Sequence, residues 1–285
     1  MPIISNPFLA KLAFNLLNIS LLIVCFCFSL PVLAFNTGEE LAAAVYNRDN
    51  GDNVFSIGTM KLIEKGHNPR VRQMLTFRED QKGKRTSSLI RFKKPADIKN
   101  TGLLTIDYDK ESKDTDQWIY LPALDRPRRI SSSRKGGHFV GSDIFYEDLR
   151  DRKVAKDTHK IIGKEKVNGL ATIKLESIPL DFDDSAYSKK VSWINTKTLL
   201  AVKVEFYQNR ESQPFKQTLV KKIKKIQGIW SIMDSIVTDL NTGHKTQLTV
   251  NSIYYNTQIP TDLFSKKYLA DPSREKSIIN AIISK

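Results

Sequence analysis

Apolar and polar residues alternate with a period of two along most of the chain after residue 53, which predicts an antiparallel β structure. In KTQLTVNSIYY (245–255), Leu248 and Val250 share one face. Turns such as Asn168-Gly169 and Asn241-Thr242-Gly243 separate these segments and suit tight hairpins. The other predicted strands are 54–64, 70–79, 84–94, 102–109, 118–122, 128–130, 160–167, 170–178, 189–196, 199–208, 215–226 and 229–240.

From these thirteen segments we expect about eleven or twelve strands, which short turns join into one antiparallel sheet. Thr, Lys and Ser oppose the apolar face in many strands, so we expect one wet face and one buried face. A sheet of this length curls or closes. Helices must cover the apolar face, or it stays partly open for an apolar ligand.

Three segments show helical spacing instead. Thr37-Gly38-Glu39-Glu40 is a capping box and predicts a helix that ends near Asn47. SDIFYEDLRDRK (142–153) predicts a short amphipathic helix, with Phe145 and Leu149 on one stripe and charges ordered to complement the helix dipole. The tail 273–284 is consistent with an amphipathic helix that either packs on the sheet or hangs free.

The segment LVKKIKKI (219–226) fits two periods. Val220, Ile223 and Ile226 are three residues apart, which suits a helix. The neighbouring strands and the Gln227-Gly228 turn favour a strand with a bulge, and this is our prediction.

The first 34 residues differ from the rest of the chain. An apolar run (13–30) follows Lys11, and Val32 and Ala34 suit cleavage before Phe35, as in a secretory signal peptide. The alternative is an uncleaved membrane anchor. We expect residues 1–34 to be a cleaved signal peptide, residues 35–285 to form a single domain, and the protein to be periplasmic.

The amino-acid composition limits the kinds of chemistry and partner that the chain can have. Both cysteines lie in the leader, so the rest of the chain has neither disulfides nor thiolate chemistry. The formal net charge is +14, which fits a strongly hydrated surface or attraction to anionic lipid headgroups. Export makes nucleic acid an unlikely partner class, so we expect none.

The central stretch between residues 118 and 153 holds the candidate chemistry. Asp143, Glu147 and Asp148 resemble paired catalytic carboxylates, but capping and salt bridging explain them better. The four histidines are scattered, and the sequence shows neither a P-loop nor a nucleophile elbow. We therefore expect no enzyme activity, no metal and no cofactor.

Basic and aromatic residues of this stretch have two interpretations each. Arg128, Arg129 and Arg134 belong either to a solvated loop or to a surface that contacts lipid headgroups or a partner. Trp118 and Tyr120 lie in a predicted strand and belong either to the hydrophobic core or to the lining of a ligand cavity.

The motif WxYLPA at 118–123, then Arg128-Arg129-Ile130, FxGSD at 139–143 and YED at 146–148 resembles the outer-membrane lipoprotein-sorting proteins, or LolA-like proteins, and within them a treponemal-type periplasmic subgroup. The ending Ile259-Pro260-x-x-Leu263-Phe264 fits the same family. The resemblance implies a mainly β (α+β) fold: a curved antiparallel half-barrel of about eleven strands, with helices covering its concave face. It also implies binding of lipid or lipoprotein acyl chains in an apolar cavity.

The candidate residues of this cavity or of its lid are Trp118, Tyr120, Phe139, Ile144, Phe145 and Leu149. We expect a monomeric carrier or chaperone for lipid or lipoprotein acyl chains, whose lid is the short central helix. Members of the subgroup often accompany inner-membrane transporters of the resistance-nodulation-division (RND) type, so such a transporter is a further expected partner. The alternative function is an accessory module that docks on this transporter and carries no lipid.

Overall fold

The computed structural model describes residues 35–110, 113–209 and 211–284, and the predicted signal peptide lies outside them. Thirteen strands form one antiparallel sheet in the order β6-β5-β4-β3-β2-β1-β13-β12-β11-β10-β9-β8-β7. The strands are β1 (Asn53–Ile63), β2 (Arg70–Gln81), β3 (Arg85–Lys94), β4 (Gly102–Tyr108), β5 (Asp116–Leu121), β6 (Arg126–Arg129), β7 (Asp157–Val167), β8 (Leu170–Pro179), β9 (Lys189–Asn195), β10 (Ala201–Tyr207), β11 (Lys216–Ile226), β12 (Ile229–Asp239) and β13 (Lys245–Tyr255).

The sheet consists of two meanders that meet where β1 pairs with β13. Each predicted strand segment overlaps one observed strand, so the total of eleven or twelve was low by one or two. β11 is a strand whose register shifts between Val220 and Ile223, which confirms the predicted bulge. No helix among the described residues is long and apolar enough to cross a membrane.

Three α-helices accompany the sheet: α1 (Gly38–Tyr46), α2 (Lys266–Ala270) and α3 (Glu275–Ile283). The predicted capping box of α1 is present, because Thr37 accepts from the Glu40 N–H and Glu40 accepts from the Thr37 N–H. α1 packs on β7 and β8. It lies so close to β7 that a Cβ on Gly38 would be 2.3 Å from the His159 carbonyl oxygen.

The predicted helix at 142–153 is wrong. The central segment, residues 130–154, holds only short 3₁₀ turns, including Phe139–Gly141 and Tyr146–Leu149. Val140 has a left-handed φ of 47°, and the Phe139 N–H donates to the Ile144 carbonyl. The carboxylates that would cap and flank a helix bind partners far along the chain, so tertiary contacts override the local helical pattern.

Strands β1–β5 are covered on both faces, so the expected wet face is absent from this half of the sheet. The central segment covers one face, called here the inner face, through residues such as Phe139 and Ile144. The C-terminal segment, residues 259–284, covers the outer face. β4 shows both coverings, since Leu103 packs with the central segment and Leu104 with the C-terminal segment.

A buried ion pair attaches the C-terminal segment to the sheet. The Arg91 Nε donates to Glu275 Oε1 at 2.8 Å, and the two side chains are 0% and 1% exposed. The other guanidinium nitrogens of Arg91 donate to the carbonyls of Asn100 and Tyr268. Ile278 and Ile282 of α3 are buried in the hydrophobic cluster on the outer face, which also contains Leu104. The tail therefore packs on the sheet rather than hanging free.

Candidate functional site

The inner face of β8–β13 is only partly covered by α1 and the central segment, and a pocket of about 560 Å³ remains over it. Ligand pockets in proteins usually measure about 300–1,000 Å³. α1 and the end of the central segment form the other walls. The apolar side chains of this pocket are Ala42, Val45, Ile144, Leu149, Val154, Leu175, Ile194, Ala201, Val204, Phe206, Val237 and Leu248.

The floor of the pocket is continuous across the strands because its residues are direct cross-strand partners. Leu175 pairs with Ser192, and Ser192 pairs with Val204. Val204 then pairs with Thr218, and Thr218 with Val237. Since side chains of one strand alternate between faces, the intervening residues, such as Trp193, pack on the outer face. The floor thus alternates small polar and branched apolar side chains and is broadly apolar.

The rim of the pocket is charged. Arg152 donates to Asp157 at 2.7 Å, and Lys153 donates to Asp109 at 2.9 Å. Burial opposes the charge of Arg152, but the hydrogen bond and charge of Asp157 outweigh it and raise the Arg152 pKa. Burial raises the pKa of Asp151. The rim therefore keeps most of its charges in fixed pairs.

Arg48 differs from the other rim cations. It donates only to the backbone carbonyl of Asp49 and makes no ion pair with any described residue. Burial lowers its pKa. Arg48 also lines an adjoining polar pocket of about 460 Å³, which shares Tyr46, Asn50 and Asp151 with the apolar-floored one. The pocket with the apolar floor therefore adjoins this polar pocket, which is called here the polar chamber.

A buried lysine fixes the central segment to the sheet. The Lys216 ammonium, 2% exposed, donates to Asp148 Oδ2 at 2.6 Å and contacts the Tyr187 hydroxyl. The Tyr187 hydroxyl donates to Asp148 Oδ1 at 2.5 Å. Phe145 stacks on Tyr187 with ring centroids 5.8 Å apart, and Lys216 lies over both rings. Burial lowers the pKa of Lys216 and raises that of Tyr187 well above its usual value.

The other two carboxylates of the central segment have structural partners too. Asp143 contacts His244 Nδ1 at 2.8 Å and accepts from the Thr246 hydroxyl at 2.7 Å. Glu147 accepts from the Ser185 hydroxyl at 2.7 Å. Among the described residues, no group of three or more His, Cys, Asp and Glu side chains is placed to hold a metal ion. The contacts of these carboxylates therefore hold the central segment against the sheet.

The structure separates the six predicted cavity residues. Only Ile144 and Leu149 line the apolar-floored pocket. Phe139 is buried between the central segment and β3, and Phe145 is buried among aromatic rings beside the pocket. Trp118 and Tyr120 lie on the outer face, against the C-terminal segment.

The three predicted contact arginines lie on the surface away from this pocket. Arg128 and Arg134 are exposed, and Arg129 pairs with Asp116 at 2.5 Å. The sequence interpretation missed Arg48 and the floor residues of β8–β13. Alternation within each strand was visible, but which strand faces the pocket depends on the pairing of all thirteen.

Comparisons with known proteins place the chain in a family. A family model described as an uncharacterized protein family matches residues 84–271. No curated protein matches the chain. A solved "putative outer membrane lipoprotein-sorting protein domain" from Vibrio parahaemolyticus is 31% identical, with a TM-score of 0.76, and the match covers 82% of this chain and 98% of that one.

Two further solved structures are similar. A DUF1329 family protein from Desulfovibrio piger is 28% identical with a TM-score of 0.76, over 81% of this chain and 97% of that one. A LolA superfamily protein from Nitrosomonas europaea shares the fold, with 18% identity and a TM-score of 0.62, over 81% and 99% of the two chains. The predicted fold class, mainly antiparallel β and LolA-like, is confirmed. The chain belongs to the family of the outer-membrane lipoprotein-sorting proteins and has the LolA-like fold.

Proposed function

We propose that the protein is a periplasmic carrier that holds the acyl part of a lipid or lipoprotein in the apolar-floored pocket. The observation that supports this most strongly is the continuous inner-face floor of β8–β13, over which a pocket of about 560 Å³ remains between α1 and the central segment. The family to which the chain belongs adds the class of cargo.

The size of the pocket suits this cargo. Burying an acyl chain contributes about 0.8 kcal/mol for each methylene taken out of water. Ten buried methylenes would contribute about 8 kcal/mol, which offsets a large part of the cost of leaving a bilayer. A hydroxyl or two in the floor, such as Ser192 and Thr218, weakens this gain and favours reversible binding.

The polar chamber suits the other end of an amphiphile. It adjoins the apolar-floored pocket at Arg48 and Asn50, and it contains both cations and carboxylates. An acyl chain on the floor would place a polar head group beside Arg48, whose guanidinium has no carboxylate partner among the described residues. Cargo thus enters past Arg48 rather than under the central segment.

The lid expected at 142–153 does not fit this route. Lys216, Tyr187 and His244 hold the central segment through buried polar contacts, and removing such contacts is costly. In this proposal the central segment is a fixed wall. The part of the enclosure that moves is α1, a nine-residue helix whose buried residues are Gly38, Leu41 and Ala42.

Native mass spectrometry of protein purified from the periplasm tests the proposal. We expect co-purified lipid in the wild type and much less in Thr218→Trp, because an indole at Thr218 occupies the floor. The matched control is Thr158→Trp on the exposed face of β7, which should retain the lipid.

A groove of about 830 Å³ between α3 and residues 254–260 provides a second comparison. Ala281→Trp fills that groove and should leave the lipid load unchanged. Equal lipid in the wild type and in Thr218→Trp would contradict the proposed site. A wild type without lipid would favour the alternative, an accessory module that docks on an RND-type transporter.

A further inference from the structure

The hairpin of β11 and β12 continues beyond the ladder pairs that it forms with its two neighbouring strands. β10 pairs with β11 only between Lys216 and Leu219, and β13 pairs with β12 only from Asp234 onward. In residues 220–233, called here the projecting hairpin, β11 and β12 therefore form ladder pairs only with each other, although Ile229 and Ser231 are buried and the Ser231 and Tyr255 hydroxyls lie 2.7 Å apart. Its tip is a two-residue turn in which Gln227 and Gly228 both have positive φ, as a type I′ turn requires.

The projecting hairpin concentrates positive charge that pairs with no carboxylate of the described residues. Lys221, Lys222, Lys224 and Lys225 are all exposed, and the sequence has no acidic residue between Glu211 and Asp234. None of the four lysines forms an ion pair with a described residue. Some lysines elsewhere, such as Lys153, have a fixed carboxylate partner. The charge of this hairpin is therefore available to an external anion.

Apolar side chains accompany these lysines. Trp230 is 37% exposed and is the direct cross-strand partner of Lys225, so the two side chains share one face. Ile226 at the tip is partly exposed. Tryptophan prefers the interface between water and a bilayer, and lysine is attracted to anionic headgroups. Together these residue types match the chemistry of an anionic membrane surface.

The hairpin stands beside the polar end of the pocket. Thr218 and Ser235, at its base, belong to the pocket floor. At its tip, the Gln227 side chain accepts from the Tyr255 N–H at 2.8 Å. The Tyr255 ring lies against Gly51, next to Asn50 of the pocket rim.

We propose that the projecting hairpin docks the protein on the surface of a bilayer that contains anionic phospholipid. The tip of the hairpin meets the membrane, so that lysines on both of its faces reach the headgroups and Trp230 and Ile226 enter the interface. This docking does not require that the protein carry lipid. Docking brings the mouth at Arg48 close to the membrane, so a carrier would gain from it.

Vesicle co-sedimentation of the full chain after its leader tests the inference. The probes are vesicles of phosphatidylcholine alone and of phosphatidylcholine with an equal part of phosphatidylglycerol. Each lysine near an anionic surface strengthens partitioning by about fivefold. We expect Lys221→Gln, Lys222→Gln, Lys224→Gln and Lys225→Gln combined to weaken binding to the phosphatidylglycerol vesicles by more than about a hundredfold.

The control variant combines Lys160→Gln, Lys164→Gln, Lys166→Gln and Lys197→Gln, which removes the same charge from other exposed positions. It should keep most of the binding, and high salt should abolish binding of the wild type. A blue shift of tryptophan emission on vesicle addition should disappear in Trp230→Phe.

Equal losses in the two quadruple variants would show a delocalised charge effect and overturn the proposal. Equal binding of the wild type to vesicles with and without phosphatidylglycerol would also overturn the proposal. That result would point to an acidic protein as the partner of the hairpin. Neither result depends on co-purified lipid, so this inference and the proposed carrier function fail or stand separately.

Discussion

Removing Asp148 should destabilise the protein more than removing Lys216, although the two residues form one ion pair. Asp148→Ala leaves the Lys216 ammonium, 2% exposed, without a counter-ion among three aromatic rings. It also removes the acceptor of the Tyr187 hydroxyl and of the Phe145 N–H. Breaking a buried ion pair from one side costs about 3–5 kcal/mol, which is a large part of the 5–15 kcal/mol typical of a domain.

Lys216→Met has a smaller expected cost, about 1–2 kcal/mol. The methionine keeps the apolar stem against Phe145 and Phe206, and Asp148 remains partly exposed, at 19%, with two of its donors in place. The double variant has no unpaired buried charge. Its cost should fall below the sum of the two single costs by about 2 kcal/mol.

Denaturant unfolding followed by tryptophan fluorescence measures these three free energies, and the pH dependence adds an independent check. Burial already lowers the pKa of Lys216, while Asp148 raises it, so Asp148→Ala should lower it further. A lysine with a lowered pKa in the folded state loses its proton more readily there than in the unfolded chain. The stability deficit of Asp148→Ala should therefore shrink as pH rises toward the ordinary lysine pKa of about 10.4.

Two results would refute the view that this pair anchors the central segment. One is a loss of unfolding free energy below about 1 kcal/mol for Asp148→Ala, and the other is a double variant whose loss equals the sum of the losses of the two single variants.

Two further predictions follow from buried groups elsewhere. Burial raises the pKa of Asp107 to about 6, against hydrogen bonds from Thr115 and the Asp151 N–H that favour its charge. The protonated Asp107 carboxyl makes its full contribution to the free energy of unfolding below about pH 4, and this contribution is lost as pH rises through about 6. Denaturant titrations over that window should therefore show that the wild type loses about 3 kcal/mol of stability relative to Asp107→Asn. Glu275→Ala leaves Arg91 buried and unpaired and should cost about 3–5 kcal/mol, with faster hydrogen exchange in α3, whereas Glu275→Gln should cost clearly less. An unchanged α3 in Glu275→Ala would contradict this role of the pair.

Local pattern was sufficient to predict most of the fold. Alternation, turn residues and the capping box at Thr37 depend on neighbours in sequence, so the strands and α1 were predicted at their observed positions. The helix at 142–153 was not, because its carboxylates bind Lys216, Tyr187 and His244, which are 39 to 101 residues away. Local capping energies of about 1 kcal/mol are smaller than such buried contacts.

The candidate site was less predictable than the fold. The motif that identifies the family contains Trp118 and Tyr120, yet these residues pack against the C-terminal segment on the outer face. Of the six predicted cavity residues, only Ile144 and Leu149, in the part of the central segment that lies over the inner face, line the pocket. The floor comes from β8–β13, where small and polar residues such as Ser192 and Thr218 sit among apolar ones. That mixture indicates a binding surface only once the cross-strand partners are known.

Photocrosslinking with a diazirine-labelled fatty acid tests the central claim most directly, because it reports where an acyl chain lies. The proposed site predicts labelled peptides that contain Leu175, Val204 and Val237, and loss of that labelling in Thr218→Trp. Labelling confined to the groove between α3 and residues 254–260, or equal labelling of wild type and Thr218→Trp, would contradict the account.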